Sequence, residues 1–330
     1  MSSVDPISST IPSSGLRMKS LILRLRRLFA QRRRKKKWIL VVVNPAAGQL
    51  GPDLKLLNRI IHAAGWDWEV QVTNAMGDGG RAAARAVSAG ASLVAACGGD
   101  GTVMDVAAGL LGGQVPLAIL PSGTGNVLAK DLGIPLDLTG ACNLIFSPNA
   151  ITRVIDVGVA GERLFLLRLG VGLESDIVRA ADRGFKERLG FFAYVAATVQ
   201  AWNQAPLSHY RLELDGQIQE IDGLACMVAN AGALGVPGLT LSPQVQIDDG
   251  FLDVFVIRRG DLAELGALAA ILVSTTTAPV SGLPHWQARE VNIQADPPQG
   301  VEMDGEQLGS TPVYASVIPS ALKIIVPGKG

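Results

Sequence analysis

The chain has 330 residues, of which 48% are hydrophobic and 18% charged, with 38 glycines; this suits two globular domains and excludes a disordered or collagen-like chain. Its formal net charge of zero hides an asymmetry: eleven Lys or Arg fall within residues 17 to 37, Asp5 is the only acid before Trp38, and 18 basic against 28 acidic residues follow position 37. Cys97, Cys142 and Cys226, like His62, His209 and His285, stand alone, so no disulfide framework or zinc site is expected, and buried reduced thiols in a cytosolic protein fit best.

The first predicted element is the basic arm, residues 1–37. Leu16, Leu21, Ile22, Leu25, Leu28 and Phe29 interleave with Arg17, Lys19, Arg24, Arg26 and Arg27 ahead of a run of six basic residues, Arg32 to Lys37. Such a segment suits an interfacial helix on an anionic membrane. Nucleic-acid binding, a mitochondrial presequence and a solvated tail are the alternatives, and no specific nucleic-acid partner is expected. The arm has no small-residue cleavage site after an apolar core, so a secretory signal is not expected.

From Trp38 to Val43 the sequence is a continuous apolar run, the pattern of a parallel strand buried on both faces. Similar runs at 68–72, 93–97 and 115–120 alternate with helical patterns at 54–64, 80–89, 103–111 and 127–132, which predicts a doubly wound parallel sheet. Beyond about residue 150 the rhythm changes to shorter, partly alternating segments at 152–159, 164–169, 210–214, 224–228 and 251–257, as in antiparallel sheets. A mostly antiparallel β-sandwich domain is expected there, with helices at 191–202 and 262–274. The run Leu262 to Val273 includes Glu264 and falls short of the ~20 residues that span a bilayer.

Three strands are followed by glycine-bearing turns that such a sheet gathers at its carboxyl edge. The second, Gly98-Gly99-Asp100-Gly101-Thr102, carries the most chemistry. Its glycines let backbone N–H groups approach a phosphate, and the following helix N-terminus adds partial positive charge. Asp100 would repel phosphates unless a cation lay between them, which points to Mg2+ held jointly by nucleotide and protein. The plain alternative is a tight turn with Asp100 as an N-cap. The third turn, Ser122-Gly123-Thr124-Gly125-Asn126, offers similar donors or a simple helix cap, and Asn44 with Gly48 makes a weaker first candidate. No Walker-type Gly-x-x-x-x-Gly-Lys-[Ser/Thr] occurs and no complete dinucleotide fingerprint follows a strand.

Phosphoryl transfer also needs a base. Asp304, in Met303-Asp-Gly-Glu306, is taken for that role with Glu306 supporting it, although Asp-Gly is also ordinary hairpin chemistry. Asp249, in Asp248-Asp-Gly250, is either a cation ligand or part of a hairpin turn.

In order, Asn44-Pro45, Gly98 to Thr102, Gly123 to Asn126, Lys186 with Gly190 and Tyr194, Asp249-Gly250 and Asp304-Gly-Glu306 resemble the diacylglycerol kinase family, and within it the soluble bacterial lipid kinases related to sphingosine kinases. The resemblance spans about residues 38–326. It implies an ATP-binding α/β domain (38–150), a β-rich lipid-substrate domain (151–310) with the active site between them, and a last segment (311–330) returning to the first. It further implies ATP and Mg2+ at Asp100 and its glycines, Thr124 and Asn126 near the phosphates, Asp304 as base, and a second metal at Asp249. Gln49 and Leu50 replace a common basic residue, Val127 a common Asp, and Gln246 a common acid. The expected activity is phosphorylation of a lipid hydroxyl by a cytoplasmic enzyme lying on the inner membrane face; a soluble-substrate kinase of the NAD kinase type and a non-catalytic membrane adaptor are the other readings. Oligomeric state has no signature in the chain.

Overall fold

The computed structural model describes residues 37–47, 52–172, 206–232, 242, 244–261 and 282–328. The basic arm up to residue 36, Gly48, Gln49, Leu50, Lys186, Gly190, Tyr194 and the helices expected at 191–202 and 262–274 lie outside the described residues.

The first half alternates strand and helix: β1 (Trp38–Val43), α1 (Leu54–Ala63), β2 (Asp67–Val72), α2 (Asp78–Ser88), β3 (Leu93–Gly98), α3 (Asp100–Ala108), β4 (Leu117–Pro121), α4 (Val127–Asp131) and α5 (Leu138–Phe146). All of β3 and β4, and β1 beyond Trp38, are buried, as strands covered on both faces must be. They pair in parallel in the order β2-β1-β3-β4. Because right-handed crossovers are nearly obligatory, the step from β1 out to β2 puts α1 on one face, and the steps back through β3 to β4 put α2 and α3 on the other. The helices pack accordingly, α1 against α5 and α2 against α3. The reversal of direction lies between β1 and β3, where open α/β sheets bind ligands.

Two local differences from the sequence reading matter. Helix α3 begins at Asp100, not Val103: Gly99 is extended (φ −92°, ψ −173°), and its carbonyl accepts from the Thr102 and Val103 N–H groups. Asp100, Gly101 and Thr102 are therefore the first helical turn. Helix α5, unforeseen, starts where the Asp137 carboxylate accepts the Gly140 N–H (2.7 Å).

The second half comprises β5 (Ala150–Ala160), β6 (Arg163–Phe165), β7 (Arg168–Val171), β8 (Ser208–Leu214), β9 (Gln217–Gly223), β10 (Ala225–Ala229), β11 (Leu252–Ile257), β12 (His285–Ala288), β13 (Glu290–Asp296), β14 (Gly300–Met303), β15 (Glu306–Ser310) and β16 (Val313–Pro327). The single strand expected at 164–169 is two, split at Leu166 and Leu167. Among the described residues six of these strands form an antiparallel sheet in the order β12-β11-β10-β7-β14-β15. The others extend the first sheet. β16 pairs in parallel with β4 through Ile324 and Leu117, antiparallel with β5 and antiparallel with β13, which leads on to β8 and β9. One core, including Phe165, Tyr210, Leu212, Val254 and Met303, fills the space between the sheets. A second runs from the parallel strands into Ile155, Leu166, Leu167 and Ile324. The buried Asp156 of β5 fastens this region: one oxygen accepts the Gly250 N–H (2.6 Å), the other the Ser320 N–H (2.7 Å).

Candidate active site

A cavity of about 610 Å3 opens at the carboxyl end of the parallel strands, beside the switch point. Its wall takes residues from the loops after β1, β2, β3 and β4: Asn44 to Ala47, Thr73 to Met76, Gly99, Gly101 and Thr102, and Gly123 and Thr124. Glu306, from the other sheet, completes it. Of the residues singled out in the sequence, Asn44, Gly99, Gly101, Thr102, Gly123, Thr124 and Glu306 are thus brought to one place.

The loops are tied to each other by their own side chains. Asn44 Nδ2 donates to Thr102 Oγ1 (3.2 Å), while its Oδ1 accepts the Ala46 N–H (2.9 Å), so the first loop is fixed to the first turn of α3. Asn126, left-handed at φ 47°, closes its loop by donating to the Gly123 carbonyl (2.8 Å) and accepting the Gly123 N–H (3.1 Å). None of Gly98, Gly99, Gly101, Gly123 or Gly125 has a positive φ, so close approach and not left-handed backbone is what demands glycine here. A Cβ on Gly123 would lie 2.5 Å from the Gly99 Cα, and one on Gly98 only 2.3 Å from Thr102 Oγ1. Gly101 differs: nothing lies within 4 Å of where its Cβ would be, so its bare backbone leaves room in the cavity.

Other expected residues are placed differently. Asp100 is absent from the cavity wall; its carboxylate accepts the N–H groups of Val127 and Leu128 (both 3.1 Å), capping α4 from a neighbouring helix. It does not cap its own helix, and the backbone of Val127 takes the contact. Gly98 is buried within β3, and the Ser122 hydroxyl is buried without a hydrogen-bond partner among the described residues. Asp249 sits apart in its turn, accepting from the Phe251 N–H (3.0 Å) and Gln287 Nε2 (3.2 Å). No group of three His, Cys, Asp or Glu able to hold a metal by itself occurs among the described residues, so Mg2+ at Asp100 or Asp249 would draw its remaining ligands from nucleotide and water.

Asp304 and Gly305 (φ 48° and 91°) form the two-residue turn joining β14 to β15, with Met303 opposite Glu306. The Asp304 carboxylate reaches back to accept the N–H groups of Leu166 (2.8 Å), Leu167 (3.2 and 3.3 Å) and Arg168 (2.8 Å). That is why the strand breaks at 166–167. Burial pushes the Asp304 carboxyl above the ordinary range, while those N–H groups and the Arg168 guanidinium pull the other way. Burial lowers Arg168, against the favourable fields of Asp304 and Glu302 of the second sheet and of Asp100 at the start of α3.

Several contributors were missed in the sequence. Asp105 lines the cavity and accepts the Gly79 (2.9 Å) and Gly80 (3.2 Å) N–H groups at the start of α2. Asp78 holds the loop after β2 by accepting from Asn74 and Ala75 N–H (both 2.9 Å). Buried Asn230 braces the Asp304 support, donating to the Asp156 and Leu166 carbonyls (3.1 and 3.0 Å). Nothing marks Asp105 and Asn230 in the sequence, since each is an isolated polar residue whose partners are distant in the chain, whereas Asp78 pairs within four residues of itself, in a turn the sequence reading passed over.

A parallel sheet with phosphate-type loops around a cavity, joined by an acid from a second sheet, is the arrangement of a two-part kinase. Residues 38–160 match the diacylglycerol kinase catalytic domain and residues 168–326 the YegS C-terminal NAD kinase beta sandwich-like domain. The chain is 33% identical over 266 residues to a "Probable lipid kinase YegS-like" of Pseudomonas putida, covering 80% of this chain and 87% of that one. It is 25% identical over 278 residues to a diacylglycerol kinase of Bacillus subtilis (82% and 90% covered). An uncharacterized Synechocystis protein is 34% identical over 242 residues, which are 72% of this chain but only 55% of that longer one. A solved diacylglycerol kinase structure from Bacillus anthracis superposes with a TM-score of 0.71 at 29% identity, covering 88% of this chain and 97% of that one. The chain belongs to the diacylglycerol kinase catalytic-domain family.

Proposed function

We propose that the protein transfers the γ-phosphate of ATP to the hydroxyl of a lipid, in a Mg2+-dependent reaction. The observation that carries this reading is the cavity wall, where four loop ends of the parallel sheet meet Glu306 of the second sheet. The triphosphate fits there on bare backbone: Gly99, Gly101 and Gly123 present no side chains, Thr102 and Thr124 offer hydroxyls, and the N-terminus of α3 favours negative charge. Mg2+ would be held by one or two carboxylates plus phosphate and water oxygens and would neutralise developing charge; Glu306 fits as a protein ligand because it stands on the cavity wall, where Asp100 does not.

Asp304 then acts as base. It takes the proton of the lipid hydroxyl as that oxygen bonds to the γ-phosphorus and the bond to the β–γ bridging oxygen breaks, leaving ADP and a phosphorylated lipid. Its three N–H partners fix the carboxylate, and burial raises its proton affinity towards the range useful to a base. The basic arm would bring the cleft to an anionic cytoplasmic leaflet; no helix among the described residues is long and apolar enough to cross a membrane. Deleting residues 1–37 is expected to weaken binding to anionic vesicles at low salt without lowering the melting temperature, and undiminished vesicle binding would remove the arm from the proposal.

The deciding experiment incubates the protein with γ-labelled ATP and Mg2+, supplying in turn a total lipid extract, pure diacylglycerol, a sphingoid base and NAD+, with mass spectrometry of the products. A labelled lipid that disappears with Asp304→Asn is expected. Label on NAD+ alone would favour a soluble-substrate kinase, and no label on any acceptor would favour a membrane adaptor that keeps only the fold.

A further inference from the structure

The charges around the cavity do not balance for the ligand it suits. Asp105 and Glu306 are carboxylates on its wall, and the described wall residues include no Lys or Arg. A triphosphate entering this site would meet like charge on the wall itself, offset by the roughly half-charge of the α3 N-terminus and by Arg168, which is already engaged by Asp304. A compensating cation nevertheless stands at the rim. Arg163, the first residue of β6, is hydrogen-bonded and ion-paired through Nη2 to Glu306 Oε2, with Nη1 3.5 Å from the Gln307 carbonyl. Its strand packs against α3, the helix whose first turn carries Gly101 and Thr102.

We propose that Arg163 is the triphosphate-binding cation of this pocket, held in reserve by Glu306 and transferred to the nucleotide when it arrives. The proposal rests on the ATP-binding reading above. Both side chains of the pair are about a third exposed (34% and 40%), and solvent-screened ion pairs of that exposure are weak, so the pair separates at little cost. A phosphate dianion offers the planar guanidinium two acceptors and more charge than one carboxylate, which makes the exchange favourable. The same exchange frees Glu306 when its carboxylate is wanted near the phosphates. While the site is empty, the pair neutralises two charges that would otherwise repel or attract indiscriminately.

The arrangement predicts a dependence on the number of phosphates. Binding of ATP, ADP and AMP to the full-length protein is measured by calorimetry in EDTA, which keeps metal contributions out. Arg163→Met is expected to weaken ATP about tenfold or more, ADP less, and AMP within about twofold, with Arg163→Lys restoring part of the loss for ATP. Glu306→Gln, which releases the arginine, is expected to tighten metal-free ATP several-fold, and the gain is expected to vanish in the Arg163→Met/Glu306→Gln double variant. Equal losses for ATP and AMP, unchanged ATP affinity in Arg163→Met, or a Glu306→Gln gain that survives without the arginine would each overturn the proposal. Absence of any adenine nucleotide binding by the parent protein would instead remove the ATP reading on which it stands.

Discussion

At the scale of single residues, the glycines around the cavity separate into those whose Cβ would strike the fold and one, Gly101, whose Cβ would meet only open space. Gly123→Ala would place a methyl 2.5 Å from the Gly99 Cα, a backbone clash, and is expected to destabilise the protein by about 1–3 kcal/mol in chemical denaturation. Gly101→Ala meets nothing within 4 Å and replaces a helical glycine, so the melting temperature should hold or rise while ATP affinity falls; retained ATP affinity would show that phosphate does not lie on this backbone. Asp304 makes a second case. A base acts only when deprotonated, and burial raises this carboxyl above the usual ~3.9, so on acidification kcat/KM should be lost at a higher pH than an ordinary carboxylate would give. Asp304→Asn is expected to lower kcat about 10²–10⁴-fold with little change in ATP affinity. The sequence does identify Asp304 as a turn residue, yet it cannot distinguish it from Asp215. Asp215-Gly216 forms the same positive-φ turn between β8 and β9, and its carboxylate likewise accepts backbone N–H groups, from Arg289 and Glu290. What separates the two is tertiary: next to Asp304 stands Glu306 in the cavity wall, with Arg168 alongside.

At the scale of elements, α3 acts as a clamp whose two acids serve other helices. Asp105 caps the start of α2 and Asp100 the start of α4, so the loops after β2 and β4 are positioned by the helix that follows β3. The α2–α3 contact is close enough that a Cβ on Gly109 would lie 2.1 Å from the Gly80 carbonyl oxygen. Asp100→Ala leaves two helix N–H groups without their acceptor and should cost about 1–2 kcal/mol of stability in urea melts, with ATP affinity falling as the loop at 122–126 loosens; unchanged stability would show that water replaces the cap. The apolar runs of β1 to β4 were legible because strands buried on both faces need uninterrupted hydrophobic sequence. Helix α5 and strands β9 and β12 to β16 were less so. Most of these strands are short, and β9 has residues that are mostly exposed or half-buried, so little hydrophobic pattern marks them. The role of Asp100 was illegible for a related reason: a cap delivered across 27 residues leaves no local pattern.

For the whole molecule, the sheets do not divide along the chain as the sequence rhythm suggests. β16 is the neighbour of β4, and through β13 it carries the first sheet into the sandwich. A fragment comprising residues 38–160 would leave β4 an open edge beside buried Leu117 and Ile119, and is expected to aggregate or melt without cooperativity, whereas a cooperative transition would show an autonomous first half. The two cores also enclose all three cysteines: burial pushes Cys97 and Cys142 up to about 11 and Cys226 up to about 12. Deprotonation is needed for attack, so near pH 8 the thiols of the native protein should resist alkylation and become reactive together on unfolding. The late position of β16 also constrains biosynthesis. The ribosome completes β4 long before the strand meant to lie beside it exists, and every residue of the opposite sheet is translated in between. A nascent chain therefore carries an unfinished hydrophobic edge through most of its elongation, and the interval before the closing strand emerges is the one in which strand-edge aggregation competes with folding.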